Sequence, residues 1–156
     1  MSILKPPTDL KCIRPSSFVV FLAGSIEMGT AEDWQSKVEK VLNDEEIVLL
    51  NPRRGEWNNS WKSNIKNTKF REQVTWELDG LERADLIIMY FSPQTKSPIS
   101  LLELGLFAHQ NKLVVCCPKG FWRKGNVDMV CERYKIKQVS NFKKLISYVK
   151  KFEKRG

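Results

Sequence analysis

Short continuous apolar runs, alternating with stretches of helical periodicity, constrain this chain more than any other feature. The runs are Phe18 to Leu22, Ile47 to Leu50, Leu86 to Phe91 and Leu113 to Cys117. An apolar run of strand length suits a strand covered on both faces. After the first run comes a loop, Ala23 to Gly29, and then Trp34, Val38, Val41 and Leu42 at i, i+4, i+7 and i+8. That spacing predicts an amphipathic helix, with Thr30 and Asp33 resembling a capping box at its start. A second helix is expected from about Lys69 to Arg83, with Val74, Leu78 and Leu81 as its buried stripe. A third follows Ser97. A short helix over Val127 to Tyr134, a fifth strand over Ile136 to Val139 and a last helix capped by Asn141 complete the pattern. Strands alternating with helices imply a parallel sheet with helices on both faces. The expectation is an α/β three-layer sandwich with a five-stranded parallel sheet in the order 2-1-3-4-5. Residues 1–17, with Pro6, Pro7 and Pro15, read as an N-terminal arm without regular structure. Residues 18–156 read as a single domain.

The composition narrows the class. No run of eighteen apolar residues exists, and Met1 to Lys11 lacks the apolar core of a secretory signal. The four cysteines, Cys12, Cys116, Cys117 and Cys131, have no metal-ligand spacing. They read as reduced thiols of a cytoplasmic protein, and no metal or redox cofactor is expected. The net charge is +8, with Lys143, Lys144, Lys150, Lys151, Lys154 and Arg155 clustered at the C-terminus. No nucleic-acid recognition motif accompanies the cluster, so it reads as a solvated helix face, and no nucleic-acid partner is expected.

Chemistry concentrates between Ser97 and His109. Glu103 is the only acidic residue in the apolar run Leu101 to Ala108. A helix apolar nearly all round is expected to be buried, and a lone carboxylate there is costly unless paired or neutralised. On the preceding helix, Glu77 falls beside the Val74, Leu78 and Leu81 stripe, whereas Asp79 points away from it. In an open parallel sheet, ligands bind beyond the carboxyl ends of the strands where the strand order reverses. The Gly24-Ser25-Ile26 loop and the loop starting at Ser92 converge there. Asn51, Arg53, Arg54 and Trp57 belong to a long connection, Asn51 to Trp61, of a length often functional. Tyr90, Phe91, Trp57, Trp61 and Trp76 offer aromatic surfaces for a base, although for each singly core packing is the commoner use. The candidate substrate contacts are therefore these two loops, the Asn51, Arg53, Arg54 and Trp57 group, Tyr90 with Phe91, and Asp79.

Five segments carry a resemblance. They are F-L-A-G-S-I-E-M-G-T-A-E-D-W-Q from Phe21, L-N-P-R-R-G-E-W from Leu50 and F-R-E-Q-V-T-W-E-L-D-G-L-E-R-A-D from Phe70. S-P-I-S-L-L-E-L-G-L-F-A from Ser97 and G-F-W-R-K-G-N-V-D-M-V-C-E-R-Y from Gly120 follow. In this order and spacing they resemble the nucleoside 2-deoxyribosyltransferase family, in its shorter "like" branch. The resemblance implies a flavodoxin-like sheet, a glutamate nucleophile at Glu103 and a second catalytic carboxylate at Glu77. It also implies a homo-oligomer in which a neighbouring subunit completes each site, and Phe121 with Trp122 is the candidate contact loop. The best-known branch has Asp at the Glu77 position and a further Asp before the nucleophile, where this chain reads Q-T-K-S-P. Relatives with a G-S-I loop include enzymes that hydrolyse deoxynucleoside 5′-monophosphates. Three activities thus stay open: deoxyribosyl transfer between bases, hydrolysis of nucleotides, and a non-catalytic nucleotide-sensing domain. An N-glycosidic bond breaks through an oxocarbenium-like state that a carboxylate can capture covalently, so the chemistry suits the first two.

Overall fold

The computed structural model describes residues 1–27, 31–54 and 63–153. Among these, six strands form one sheet: β1 (Ser2–Leu4), β2 (Phe18–Gly24), β3 (Ile47–Leu50), β4 (Leu86–Tyr90), β5 (Leu113–Cys116) and β6 (Lys137–Val139). The order is β1-β3-β2-β4-β5-β6, and every pair is parallel. The five strands after β1 follow the expected order, β3-β2-β4-β5-β6, and the architecture fits a flavodoxin-like fold. The sheet has six strands rather than five because the arm contributes β1. Ser2 to Leu4 pair with Val48 to Leu50 at the sheet edge, and the Trp76 indole N–H donates to the Thr8 carbonyl at 2.8 Å. Three residues are too few to show a strand period, so tertiary pairing alone creates this strand.

The helices are α1 (Trp34–Val41), α2 (Thr68–Arg83), α3 (Pro98–Phe107), α4 (Lys124–Arg133) and α5 (Phe142–Glu153). Helices α2, α3 and α4 cover one face through Trp76, Leu81, Leu104, Phe107, Val127 and Cys131. Helices α1 and α5 cover the other through Trp34, Val38, Leu145, Ile146 and Val149. Strands β2 and β4 lie at the centre, where Val20, Phe21, Leu22, Ile87, Ile88 and Met89 are fully buried. Each such side chain stabilises the fold by about 1.5–3 kcal/mol. No helix among the described residues is long and apolar enough to cross a membrane.

Three local expectations change. Helix α1 is capped by Asp33, whose carboxylate accepts from the Ser36 N–H at 3.0 Å; Thr30 lies outside the described residues. Asp33 therefore precedes the helix instead of closing a capping box inside it. On α2 the buried residues are Gln73, Trp76, Gly80 and Leu81, while Leu78 is 40% exposed. The phase is rotated because α2 turns Trp76 under the arm and a polar residue, Gln73, towards the Pro52–Arg54 segment. Helix α3 is not buried all round: Ile99, Leu102 and Leu106 are each more than half exposed. Its apolar content serves two faces, of which the described residues cover only one.

Lys112 ties α2 to the sheet. Its ammonium donates to the carbonyls of Leu81, Glu82 and Ala84 at 2.8–3.1 Å. These are carbonyls that a helix C-terminus leaves without intrahelical partners.

Candidate active site

The site starts from the turn that ends β2. Gly24 has φ +127°, and a Cβ there would meet the Tyr90 carbonyl oxygen at 2.2 Å. Only glycine lets β2 run this close to the end of β4. The Ser25 N–H then donates to that same Tyr90 oxygen at 2.9 Å. The Ser25 hydroxyl sits 2.8 Å from the Thr95 hydroxyl and 2.6 Å from that of Ser97, and it accepts from the Ser92 N–H at 2.8 Å. Thr95 also bonds the Ser92 carbonyl. This closed, buried cluster welds the loop after β2 to the loop after β4, and so fixes where α3 begins. Ser25, expected as a ligand contact, spends its polar groups on this scaffold, and Ser92 gives it its backbone N–H and carbonyl.

Glu103 points inward from α3 and is 8% exposed. No hydrogen bond holds it among the described residues. Burial, and then the charge of Glu77, push its carboxyl up to about 8. Glu77 is also raised, chiefly by burial, against the Gln73 hydrogen bond and the Arg54 charge, which favour its ionised form. Gln73 is the orienter: its amide donates to Glu77 Oε1 at 2.6 Å and to the Pro52 carbonyl at 3.1 Å. Its own carbonyl accepts from Arg54 Nε, and Arg54 Nη2 also contacts Glu72 at 3.1 Å. The charge of Glu77 disfavours ionisation of Glu103, so the two carboxyls titrate as neighbours. At neutral pH the better-supported carboxylate is Glu77, so the resting proton resides on Glu103.

The other candidates divide. Asp79 lies on the exposed face of α2 and lines the groove against the arm, beside Thr8, Lys11 and Arg83, away from the carboxylate pair. Asn51 is 1% exposed and structural, donating to Glu39 at 2.7 Å and accepting from the Arg53 N–H at 2.9 Å. The Arg53 guanidinium reaches the carbonyls of Ala31 and Glu32 and the Gln35 side chain, so it clamps the start of α1. The Tyr90 ring is core, packed 5.7 Å from Trp34 and 5.6 Å from Phe142, and its hydroxyl donates to Glu32. Phe91 is fully buried against Phe121 at 4.9 Å. Ile26 is half-buried in the loop after Ser25. Trp57 and Trp61 lie outside the described residues.

Residues 17–121 match the family described as nucleoside 2-deoxyribosyltransferase like. The chain belongs to this family. No curated protein matches it. The nucleoside 2-deoxyribosyltransferase like match covers both carboxylates, the glycine turn and the hydroxyl cluster. It supports a nucleoside-processing function in general. Gln73, Thr95 and Ser97 escaped the sequence reading. Gln73 was within reach of it, one helical turn before Glu77 at i, i+4. Thr95 and Ser97 carried no periodic signal at all.

Proposed function

We propose that this chain is an N-glycosyl enzyme that transfers 2-deoxyribose between bases, with Glu103 as nucleophile and Glu77 as its acid–base partner. The observation that carries this reading is Glu103, buried without a hydrogen-bond partner among the described residues and raised by the charge of Glu77, which Gln73 holds in place. A Glu103 oxygen bonds to C1′ as the C1′–N bond breaks. The electron pair goes to the base, which takes a proton at its ring nitrogen from Glu77. A second base attacks C1′ with its own nitrogen, releases the Glu103 carboxylate and returns a proton to Glu77. Water in place of the second base gives hydrolysis. A buried carboxylate without a hydrogen bond among the described residues, as at Glu103, is a poor structural choice, which favours catalysis over a purely sensing domain. The deciding test is incubation with mixed deoxynucleosides, with and without a free acceptor base, followed by chromatography. New nucleosides appearing only with the acceptor establish transfer; free base in both arms establishes hydrolysis; unchanged substrate removes both.

The productive form carries the charge on Glu103 and the proton on Glu77, the minor arrangement of the singly protonated pair. A kcat/KM profile is therefore expected to be bell-shaped, with an alkaline limb near pH 8, above which no proton remains for the leaving base. In Glu77→Gln that limb should vanish, with kcat lowered about 10²–10³-fold, typical for a general acid. Asp79→Ala should change little. An alkaline limb persisting in Glu77→Gln would assign it to another group.

The chain is also proposed to work as a homo-oligomer. Ile99, Leu102 and Leu106 leave one face of α3 apolar and open, and Met129 on α4 is 64% exposed. Phe121 does not contribute, being 3% exposed, while Trp122 is half-exposed with its indole N–H on the Lys96 carbonyl at 3.0 Å. Light scattering should show a dimer or larger, and the paired change Leu102→Glu, Leu106→Glu should dissociate it with activity lost in parallel. A fully active wild-type monomer at micromolar concentration would defeat the shared-site form of this proposal.

A further inference from the structure

Helix α3 begins without a side-chain cap of its own. Ser97, at φ 46°, makes no capping bond, and Pro98 has no N–H to offer. The start of a helix is where aligned peptide dipoles and open N–H groups draw an anion. Here the anion is already supplied by the protein. Glu27, from the loop after β2, places Oε1 2.5 Å from the Lys96 N–H and 2.8 Å from the Ser97 N–H. Its backbone adopts φ 43°, uncommon for a residue other than glycine. Behind it, the hydroxyls of Ser25, Thr95 and Ser97 bond one another rather than facing a ligand. Two cations expected as substrate contacts, Arg53 and Arg54, are engaged with the start of α1 and with Gln73 and Glu72, which leaves the exposed Lys96 as the cation of this loop itself.

Glu103 follows Ser97 by six residues, about 9 Å along the helix axis. Its side chain leans back towards the helix start, as all helical side chains do. A sugar held with C1′ at Glu103 thus has its 5′ end within reach of the loop that Glu27 occupies. We propose that Glu27 is a specificity-determining residue that selects nucleosides with a free 5′-hydroxyl and rejects their 5′-phosphates. A carboxylate accepts a hydrogen bond from a hydroxyl and repels a phosphate dianion, and here it also holds two of the N–H groups a phosphate would need. The proposal rests on the N-glycosyl reading of the site.

The test compares wild type, Glu27→Gln and Glu27→Ala on the four deoxynucleosides and their 5′-monophosphates. Glu27→Gln keeps a carbonyl oxygen for the two N–H groups and removes only the charge, so it reports even if Glu27→Ala does not fold. Wild type should favour nucleosides by roughly 100-fold in kcat/KM, and Glu27→Gln should cut that preference by roughly tenfold or more, through a gain on monophosphates. A second readout needs no turnover. Millimolar inorganic phosphate should raise the Tm of Glu27→Gln and leave that of wild type unchanged. Equal use of nucleosides and monophosphates by wild type, or the same phosphate response in both proteins, would overturn the role of Glu27. Absence of turnover on every substrate would instead count against the N-glycosyl reading, and the phosphate response would still decide whether Glu27 excludes an anion.

Discussion

Glu103→Gln is expected to lose turnover by on the order of 10⁴-fold or more while becoming harder to unfold in alkaline solution. The two effects have one origin. A carboxylate held at 8% exposure without a hydrogen bond among the described residues is a strong nucleophile towards an oxocarbenium carbon and a poor neighbour for the apolar side chains around it. Its folded value, about 8, lies above the ordinary 4.5. Between these two pH values the native state holds a proton that the unfolded chain has released, so stability falls as pH rises. Below about pH 4.5 both states are protonated and the penalty disappears. Glutamine never pays it. The variant should therefore match wild type near pH 4 and exceed it at pH 8–9 by on the order of a few kcal/mol. Thermal melts across this range, beside the product assay, separate a catalytic loss from misfolding. Wild-type rates in the variant would end the nucleophile assignment. A melting difference independent of pH would mean that Glu103 is not the buried, protonated group described above.

Gly24→Ala should be the most damaging single change outside the carboxylate pair. A methyl group there would stand 2.2 Å from the Tyr90 oxygen and 2.7 Å from the Tyr90 nitrogen, both backbone atoms of the central strand pair. Neither can rotate away, and φ +127° is itself costly for alanine. Relief requires β2 and β4 to part, breaking the Ser25-to-Tyr90 bond and loosening the hydroxyl cluster that sets the start of α3. The expected cost is about 4 kcal/mol or more, a fall in Tm of roughly 10 °C, with activity lost as Glu103 shifts. Urea melts and circular dichroism would read it. A variant within about 1 kcal/mol of wild type would show that the two strand ends separate easily, contrary to this packing.

The sequence by itself determined the layers. Runs such as Phe18 to Leu22 and Leu86 to Phe91 have the length and β-branched content of buried strands, and the 3.6 period of Trp34, Val38 and Leu42 suits a helix laid against them. From that alternation, the parallel sheet, the reversal between β2 and β4 and the position of Glu103 behind β4 all follow. Glu77 was legible too, though through a stripe partly misplaced: Leu78 was assigned inward and turned out exposed, because periodicity does not register that Gln73 and Trp76 are needed beneath a loop and an arm. Tertiary structure alone decided the rest. Ser2 to Leu4 became a strand only because β3 offered an open edge. The hydroxyls of Ser25, Thr95 and Ser97 met across some seventy residues of chain, and no local pattern announces such a meeting. Arg53 and Arg54, expected as substrate contacts, bond carbonyls, amides and the Glu72 carboxylate of the chain itself. The physical reason is range: the hydrophobic period acts between neighbours along the chain and is written in it, whereas a polar group bonds whichever partner the finished fold brings within 3 Å.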